Sequence, residues 1–580
     1  FNPHRLALSR RARARPASMP TRRERRAAAA AAAAVESSPP TEPFFMQLIG
    51  APVVRKMLGI PFGKMGQCAS PAKAARHARY LVSPVAAINA WAHMAGYLHE
   101  SVSVVDVGGR GLGLVAAKAG VAAGEALVSV PLAACVTHDL ALATPAVAEL
   151  LASLPPDELE PHVSMAVWLM QARVHQPLQL RPWLAALPSQ FDCTLEWSDG
   201  ELAALQASRA TARARALRGW ASALYGKLFF APTAPLSTVP ANASVSGNFE
   251  PSETRFHWAL CAVWSRSFQL PCAADGTVGG SGAGSGGAPV RGCRDGLWRV
   301  LPPVVDLMNT PAVGDSASAR YAIAVAGGDA VGGDAVGGAA GGAAGGTASG
   351  GGGAAAAAAD GQVLRVFAQR DLASGEPIEL DYGPRPNSEL ITTHGFALRG
   401  SPHDHLPLDL APEDSDPLGA VKRKILAAGN LSAPYALSVR ALRTDSDLLV
   451  ALRLLVADAD ELRRYAAAFH GEALSGRNEE RWRDLLLRQA AALLEVHERT
   501  STAAQDDDTM RRADKAVAAD ADSGGSGSGA SGGSGASGGG AGVSRREWAA
   551  LVTRHGEKRL LHAVVDELRG RPVEASPPSL

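Results

Sequence analysis

The chain has 580 residues, 47% hydrophobic and 19% charged, with 57 Lys+Arg against 56 Asp+Glu and a formal net charge of +1. A balance this close to neutral excludes a protein that binds polyanions by bulk charge, and no nucleic-acid partner is expected. No stretch of roughly 18 strongly apolar residues occurs, so neither a membrane span nor a membrane partner is expected.

Residues 1–35 hold nine arginines and a single acid, Glu24, and run into an alanine tract. An acid-poor, Arg-rich composition of this kind predicts an organelle transit peptide, with an unstructured basic tail as the alternative. Residues 36–85 read as a linker. The six cysteines, Cys68, Cys135, Cys193, Cys261, Cys272 and Cys293, form no CxxC pair. Neither a zinc module nor a disulfide framework is expected, and a reducing compartment suits them. Segments 273–292, 327–361 and 523–542 carry almost no side chains able to bury area against ordering entropy, and they read as disordered insertions.

Between these segments, Val102, Val104 and Asp106 alternate as in a strand, residues 108–113 turn the chain, and residues 126–130 predict a second strand ending at Pro131. Val163, Val167, Met170 and Val174 recur with helical spacing. In residues 376–383, Ile378, Leu380 and Tyr382 share one face of a strand while Glu379 and Asp381 share the other, so Tyr382 belongs to the core side. Beyond residue 401 the pattern is helical, with Leu448, Leu452 and Leu455 on one stripe and Trp482, Leu485, Leu486, Leu493 and Val496 on another.

Three motifs could carry chemistry. The glycines of GGRGLGLVA, residues 108–116, permit close backbone approach to a ligand, although a plain hairpin turn also explains them. A dinucleotide site is disfavoured because a turn and a second strand, rather than a helix, follow. A P-loop is excluded by the lack of a GK[ST] ending. The apolar run LPPVVDLMN, residues 301–309, ends in Asp306 and Asn309, which on their own could merely cap a turn. ELDYGPRPNSEL, residues 379–390, leads to His394, Gly395 and Phe396; taken alone, Tyr382 could be a core tyrosine with its hydroxyl at the rim. His403 and His405 flank Asp404 in a Pro-rich stretch and read as solvated side chains rather than metal ligands.

Together with WLAALP at 183–188, the stretch from Leu195 to Ser208, SRSF at 265–268, and SRRE and GEKRLL at 544–547 and 556–561, the order of these motifs resembles one family. That family is the SET-domain protein methyltransferases of the Rubisco large-subunit lysine methyltransferase-like branch, which also contains the actin-histidine methyltransferase. The resemblance implies an α+β protein: a β-rich SET fold over residues 86–400 with a helical insertion at about 135–255, followed by an all-α substrate-binding domain over 401–575. It implies S-adenosylmethionine as cofactor and no metal. Arg110, Gly111 and Leu112 would lie along the cofactor, with Arg266, Asn309 and Thr310 also near it. Tyr382 would be the catalytic tyrosine, Tyr321 a second channel tyrosine, and Arg266, Asp306 and His394 would face the target side chain. Two departures are visible: Thr310 follows Asn309 where the family has His, and His394 stands where it often has Tyr.

The expected activity is transfer of a methyl group to a lysine of a folded non-histone protein, with the Rubisco large subunit or a plastid aldolase as substrate. The alternatives are a protein-histidine methyltransferase and a catalytically weak interaction module. A monomer is expected, in the chloroplast, with mitochondrion or cytoplasm as the other locations.

Overall fold

The computed structural model describes residues 83–117, 120–230, 252–272, 293–294, 296–325, 362–443, 446–522 and 543–570. The expected transit peptide, nearly all of the 36–85 linker and the three expected disordered segments lie outside the described residues. The chain divides into two units, 1–86 and 87–580.

Among the described residues between Val102 and Ile378, ten short strands form three small sheets. β1 (Val102–Asp106) and β2 (Leu112–Ala116) make an antiparallel hairpin, with β10 (Pro377–Ile378) added to the outer side of β2. β3 (Ala126–Pro131), β9 (Gln362–Ala368) and β8 (Ala319–Val325) form the second sheet in that order. In the third, β7 (Leu297–Leu301) pairs with β4 (Val136–Thr137), β5 (Phe268–Pro271) and β6 (Cys293–Arg294). The inward positions of these strands, such as Val102, Val104, Leu114, Leu127, Val130, Val300 and Leu364, enter one continuous core. Alternation at period two fixes the dry face of β1, whereas a register shift between Ala126 and Val128 lets β3 bury both Leu127 and Val130.

The helical insertion packs onto that core. α1 (Pro161–His175) begins with proline at its first turn, where no amide donor is lost, and lies against α3 (Glu253–Arg266). α2 (Arg209–Phe230) packs against α4 (Asn387–Thr393), the short helix that follows Tyr382.

C-terminal helices α5 (Asp447–Leu455), α6 (Gly476–Glu498) and α8 (Arg545–Leu568) build a second core around Leu452, Trp482, Leu486, Leu561 and Val564, while α7 (Ala503–Asp522) packs Met510 against Leu551 and Val552 of α8 in a smaller cluster. Ser544 and Glu547 close a reciprocal capping box at the start of α8, satisfying two amide donors that its first turn would leave orphaned.

Several sequence expectations change. The C-terminal region also holds a two-stranded ribbon, Leu406–Leu408 with Tyr435–Leu437, too short to show an alternating pattern. Val174 and Val496, placed by periodicity on apolar stripes, are 38% and 43% exposed, each in the last turn of its helix. The cysteines are not all unpaired: Cys272 and Cys293 form a disulfide closing the segment between β5 and β6, whereas Cys135, Cys193 and Cys261 are free and buried. Sequence spacing could not find that pair, because antiparallel pairing of β5 and β6 with β7 is what brings the two cysteines together.

Candidate active site

The three motifs meet at one place. The β1–β2 turn passes through a 3-10 turn, Gly108–Arg110, and leaves it at Gly111 with φ +76°, a conformation that disfavours any side chain. Two residues on, a Cβ at Gly113 would stand 2.9 Å from Nδ2 of Asn309 and 3.2 Å from the methyls of Val107. Glycine is required there because the 301–309 run lies directly against the hairpin. Asn309 then acts as a rivet: its Nδ2 donates to the Leu112 carbonyl at 3.3 Å, and its own carbonyl accepts from Leu380 N–H at 2.9 Å. One side chain and its backbone tie the glycine hairpin to the segment carrying Tyr382.

Asp306 sits in the 3-10 turn Val305–Leu307, entered through Val304 at φ +75°, a costly conformation for a β-branched residue. Its buried carboxylate accepts from Trp183 Nε1 at 3.0 Å and from Arg266 Nη1 at 3.2 Å, and Arg266 Nη1 also donates to the Asp306 carbonyl at 2.9 Å. Burial raises the Asp306 pKa, and the guanidinium of Arg266 with the Trp183 hydrogen bond opposes that rise. Asp306 is thus spent on holding Arg266 and the turn. The Nε of Arg266 is buried with no hydrogen-bond partner among the described residues. Arg266 therefore keeps one donor able to make a further hydrogen bond.

Tyr382 follows directly. Its hydroxyl donates to the Met308 carbonyl at 2.7 Å. Burial pushes the phenol pKa up to about 12, so it stays protonated at neutral pH. Since its one proton is committed to Met308, the oxygen offers only lone pairs to the adjoining cleft. That cleft, about 490 Å³, is bordered by Tyr382, Tyr321, Leu380, Arg385 and Leu390. The Tyr321 ring meets the Phe268 ring edge-on, 5.4 Å between centroids. His394 stacks at a tilt on Tyr382 at 5.5 Å, with Phe396 6.0 Å beyond it. Burial, with Arg385 and Arg299 adding to it, lowers the His394 pKa to about 3, so this imidazole is neutral.

The sequence-derived residues therefore converge: Gly111, Leu112, Arg266, Asp306, Asn309 and Tyr382 are linked by the contacts above, while Tyr321, Thr310 and Tyr382 line one cleft. The side chain of Arg110 points to the neighbouring cleft of about 630 Å³, where it pairs with Glu379 and donates to the Thr310 carbonyl at 3.4 Å. Thr310 thus contributes its backbone to this frame. Sequence reasoning missed Trp183, Phe268, Phe396 and Arg385 as site residues. Trp183 and Phe268 fall within motifs that were visible, but nothing in their spacing says that a tryptophan 123 residues away supports Asp306. Among the described residues no group of three or more His, Cys, Asp or Glu is arranged to hold a metal ion, and no helix is long and apolar enough to cross a membrane.

The Rubisco LSMT substrate-binding family model matches residues 413–561. Over 105 residues, 18% of each chain, the protein is 33% identical to the actin-histidine N-methyltransferase of Xenopus tropicalis, and over 100 residues it is 31% identical to that of Homo sapiens. The match thus spans under a fifth of the length of these curated relatives. The fold is that of the SET domain of LSMT bound to lysine and AdoHcy, at TM-score 0.57 and 19% identity over 84% of this chain and 91% of that one. Rubisco LSMT bound to AdoMet superposes at TM-score 0.55 and 18% identity, covering 84% of this chain and 92% of that one. The described residues thus share the fold of the SET domain of LSMT, and residues 413–561 match the Rubisco LSMT substrate-binding family model.

Proposed function

We propose that the protein is an S-adenosylmethionine-dependent protein N-methyltransferase whose target is a lysine of a folded non-histone protein. The observation that carries this reading is the Tyr382 hydroxyl, held by Met308 at the junction of hairpin, Asn309 turn and aromatic cleft. S-adenosylmethionine fits the unpartnered Arg266 Nε and the glycine-lined turn. When bound it would supply a sulfonium methyl, the amine lone pair forming the N–C bond as the C–S bond broke to leave a neutral thioether.

The chain's own contribution is alignment, which can be worth about 7–11 kcal/mol when a near-attack geometry is held. The outward lone pairs of Tyr382 can accept an amine N–H or a weak C–H bond from a polarised methyl. The nucleophile must be unprotonated, although a free lysine titrates near pKa 10.4. The Tyr321 ring on the cleft, backed by Phe268, disfavours the ammonium and so promotes proton loss to solvent before entry.

Those aromatic walls suit the aliphatic stem of lysine. A histidine target is the second reading, favoured by the relatives found among actin-histidine N-methyltransferases. The imidazole of such a target would need a polar partner for its second nitrogen. The C-terminal helices would hold the substrate protein, with the Rubisco large subunit or an aldolase as the plastid case, if the basic N-terminal segment directs the chain there. Incubation with labelled S-adenosylmethionine and an organelle extract, followed by mass-spectrometric mapping, tests the reading. Label on lysine supports it, and label on histidine selects the alternative. Absence of both transfer and cofactor binding would leave an interaction module.

A further inference from the structure

Beyond the cleft, Asn387 at the start of α4 is fully engaged. Its side chain accepts from Leu398 N–H at 2.6 Å and donates to the Leu398 carbonyl at 2.8 Å, closing residues 387–398 into a loop that carries His394 and Phe396. Asp404 grips this loop from below. It accepts from the Asn387 amide at 2.7 Å through Oδ1 and from Asn387 Nδ2 at 2.9 Å through Oδ2.

Behind Asp404 stands α8 of the C-terminal domain. A Cβ on Gly556 would lie 2.8 Å from Asp404 Oδ2, closer than real Cβ contacts, so α8 meets the carboxylate only because residue 556 has no side chain. The helix cannot easily retreat. Ser208 of the insertion donates to Glu557 at 2.8 Å. The buried Lys558 donates to Asp506 at 2.7 Å, Ser501 at 2.9 Å and Gln206 at 3.0 Å. Glycine in a helix interior costs about 1 kcal/mol relative to alanine, and here the cost coincides with this contact.

We propose that Asp404 is a positioning residue through which α8, seated by Gly556, sets the placement of the His394–Phe396 wall against Tyr382, so that the C-terminal domain tunes the catalytic cleft as well as holding substrate. This rests on the methyltransferase reading above. The coupling is structural and involves no proton transfer by Asp404. A methyl at 556 must displace a carboxylate pinned by two hydrogen bonds, and the shift passes through Asn387 to the loop.

The test uses the full chain, with N-acetyl-lysine methylamide as methyl acceptor and 15N-histidine labelling to follow the His394 ring. Gly556→Ala and Asp404→Ala are each expected to lower kcat about tenfold or more, as sub-ångström misplacement does, with the S-adenosylmethionine Kd unchanged and the His394 signals moved. In the Asp404→Ala background, Gly556→Ala should add little, because its target is gone. Wild-type kcat together with unmoved His394 signals in Gly556→Ala would overturn the proposal, as would full additivity of the two changes. Should Gly556→Ala fail to fold, Asp404→Asn, which keeps shape but turns an amide toward Asn387 Nδ2, carries the same expectations. If the wild-type chain neither binds S-adenosylmethionine nor transfers a methyl group, the functional reading fails on its own, and the His394 signals still decide the coupling.

Discussion

Removing the hydroxyl of Tyr382 tests the proposed chemistry at one atom. In Tyr382→Phe the ring can keep its packing on His394 and Phe396, but the buried Met308 carbonyl loses its donor at 2.7 Å and the cleft loses the lone pairs. Leaving a buried acceptor unsatisfied costs about 1–3 kcal/mol. That cost falls on stability; the rate loses instead a hydrogen bond to a charged reacting group, about 1.5–3 kcal/mol, or about a 13- to 150-fold fall at 1.36 kcal/mol per factor of ten. The variant should still bind S-adenosylmethionine within about twofold, since Arg266 and Asn309 are untouched, so the fall should appear in kcat rather than in cofactor affinity. Single-turnover transfer of labelled methyl, with calorimetry for cofactor binding, reads both quantities. A variant that turns over at the wild-type rate would remove Tyr382 from the mechanism and make its bond to Met308 merely structural.

Three further outcomes are expected from the geometry. Asp306→Ala strips Arg266 and Trp183 of their shared acceptor inside the core; breaking a buried pair costs about 3–5 kcal/mol, toward the lower end because Arg266 keeps 17% exposure, and urea denaturation should show it as a lowered midpoint. Gly113→Ala drives a methyl into Asn309 and Val107, so cofactor affinity should fall in calorimetry while overall stability drops by about 1–3 kcal/mol. The pH profile separates the two target residues. With Tyr382 near 12 and His394, which packs on it, near 3, neither ring titrates between about pH 5 and 10. Burial raises the Asp404 pKa to about 6, so the comparison is made above about pH 7, where that carboxylate is charged: for a lysine target kcat/KM should climb about tenfold per pH unit toward the amine pKa, while a histidine target, with an imidazole pKa of about 6.5, should be level there.

Much of the site was legible because its residues belong to motifs whose spacing is local. Ile378, Leu380 and Tyr382 alternate with Glu379 and Asp381, and the structure buries Ile378 and Leu380 while Asp381 is exposed. The turn at residues 108–113 announced itself through glycines that the backbone needs, at Gly111 for its positive φ and at Gly113 for close approach. What the sequence could not disclose is set by long-range docking. Trp183 reaches Asp306 from the insertion, Asp404 reaches Asn387 and Gly556 reaches Asp404, and each contact depends on how helices stack rather than on any local period. The Cys272–Cys293 bridge is of the same kind, since a strand pairing and not a cysteine motif brings it together. The short ribbon β11–β12 of three-residue strands, Leu406–Leu408 and Tyr435–Leu437, escaped notice because three residues hold too little alternation to read.

The most direct measurement is residue-level mapping of the methyl group transferred from labelled S-adenosylmethionine to proteins of an organelle extract, with wild type and Tyr382→Phe run side by side. The account predicts label on a lysine Nε of a folded protein with wild type, and little or none with the variant. Equal labelling by both, or a chain that binds the cofactor yet never passes on its methyl group, would contradict it.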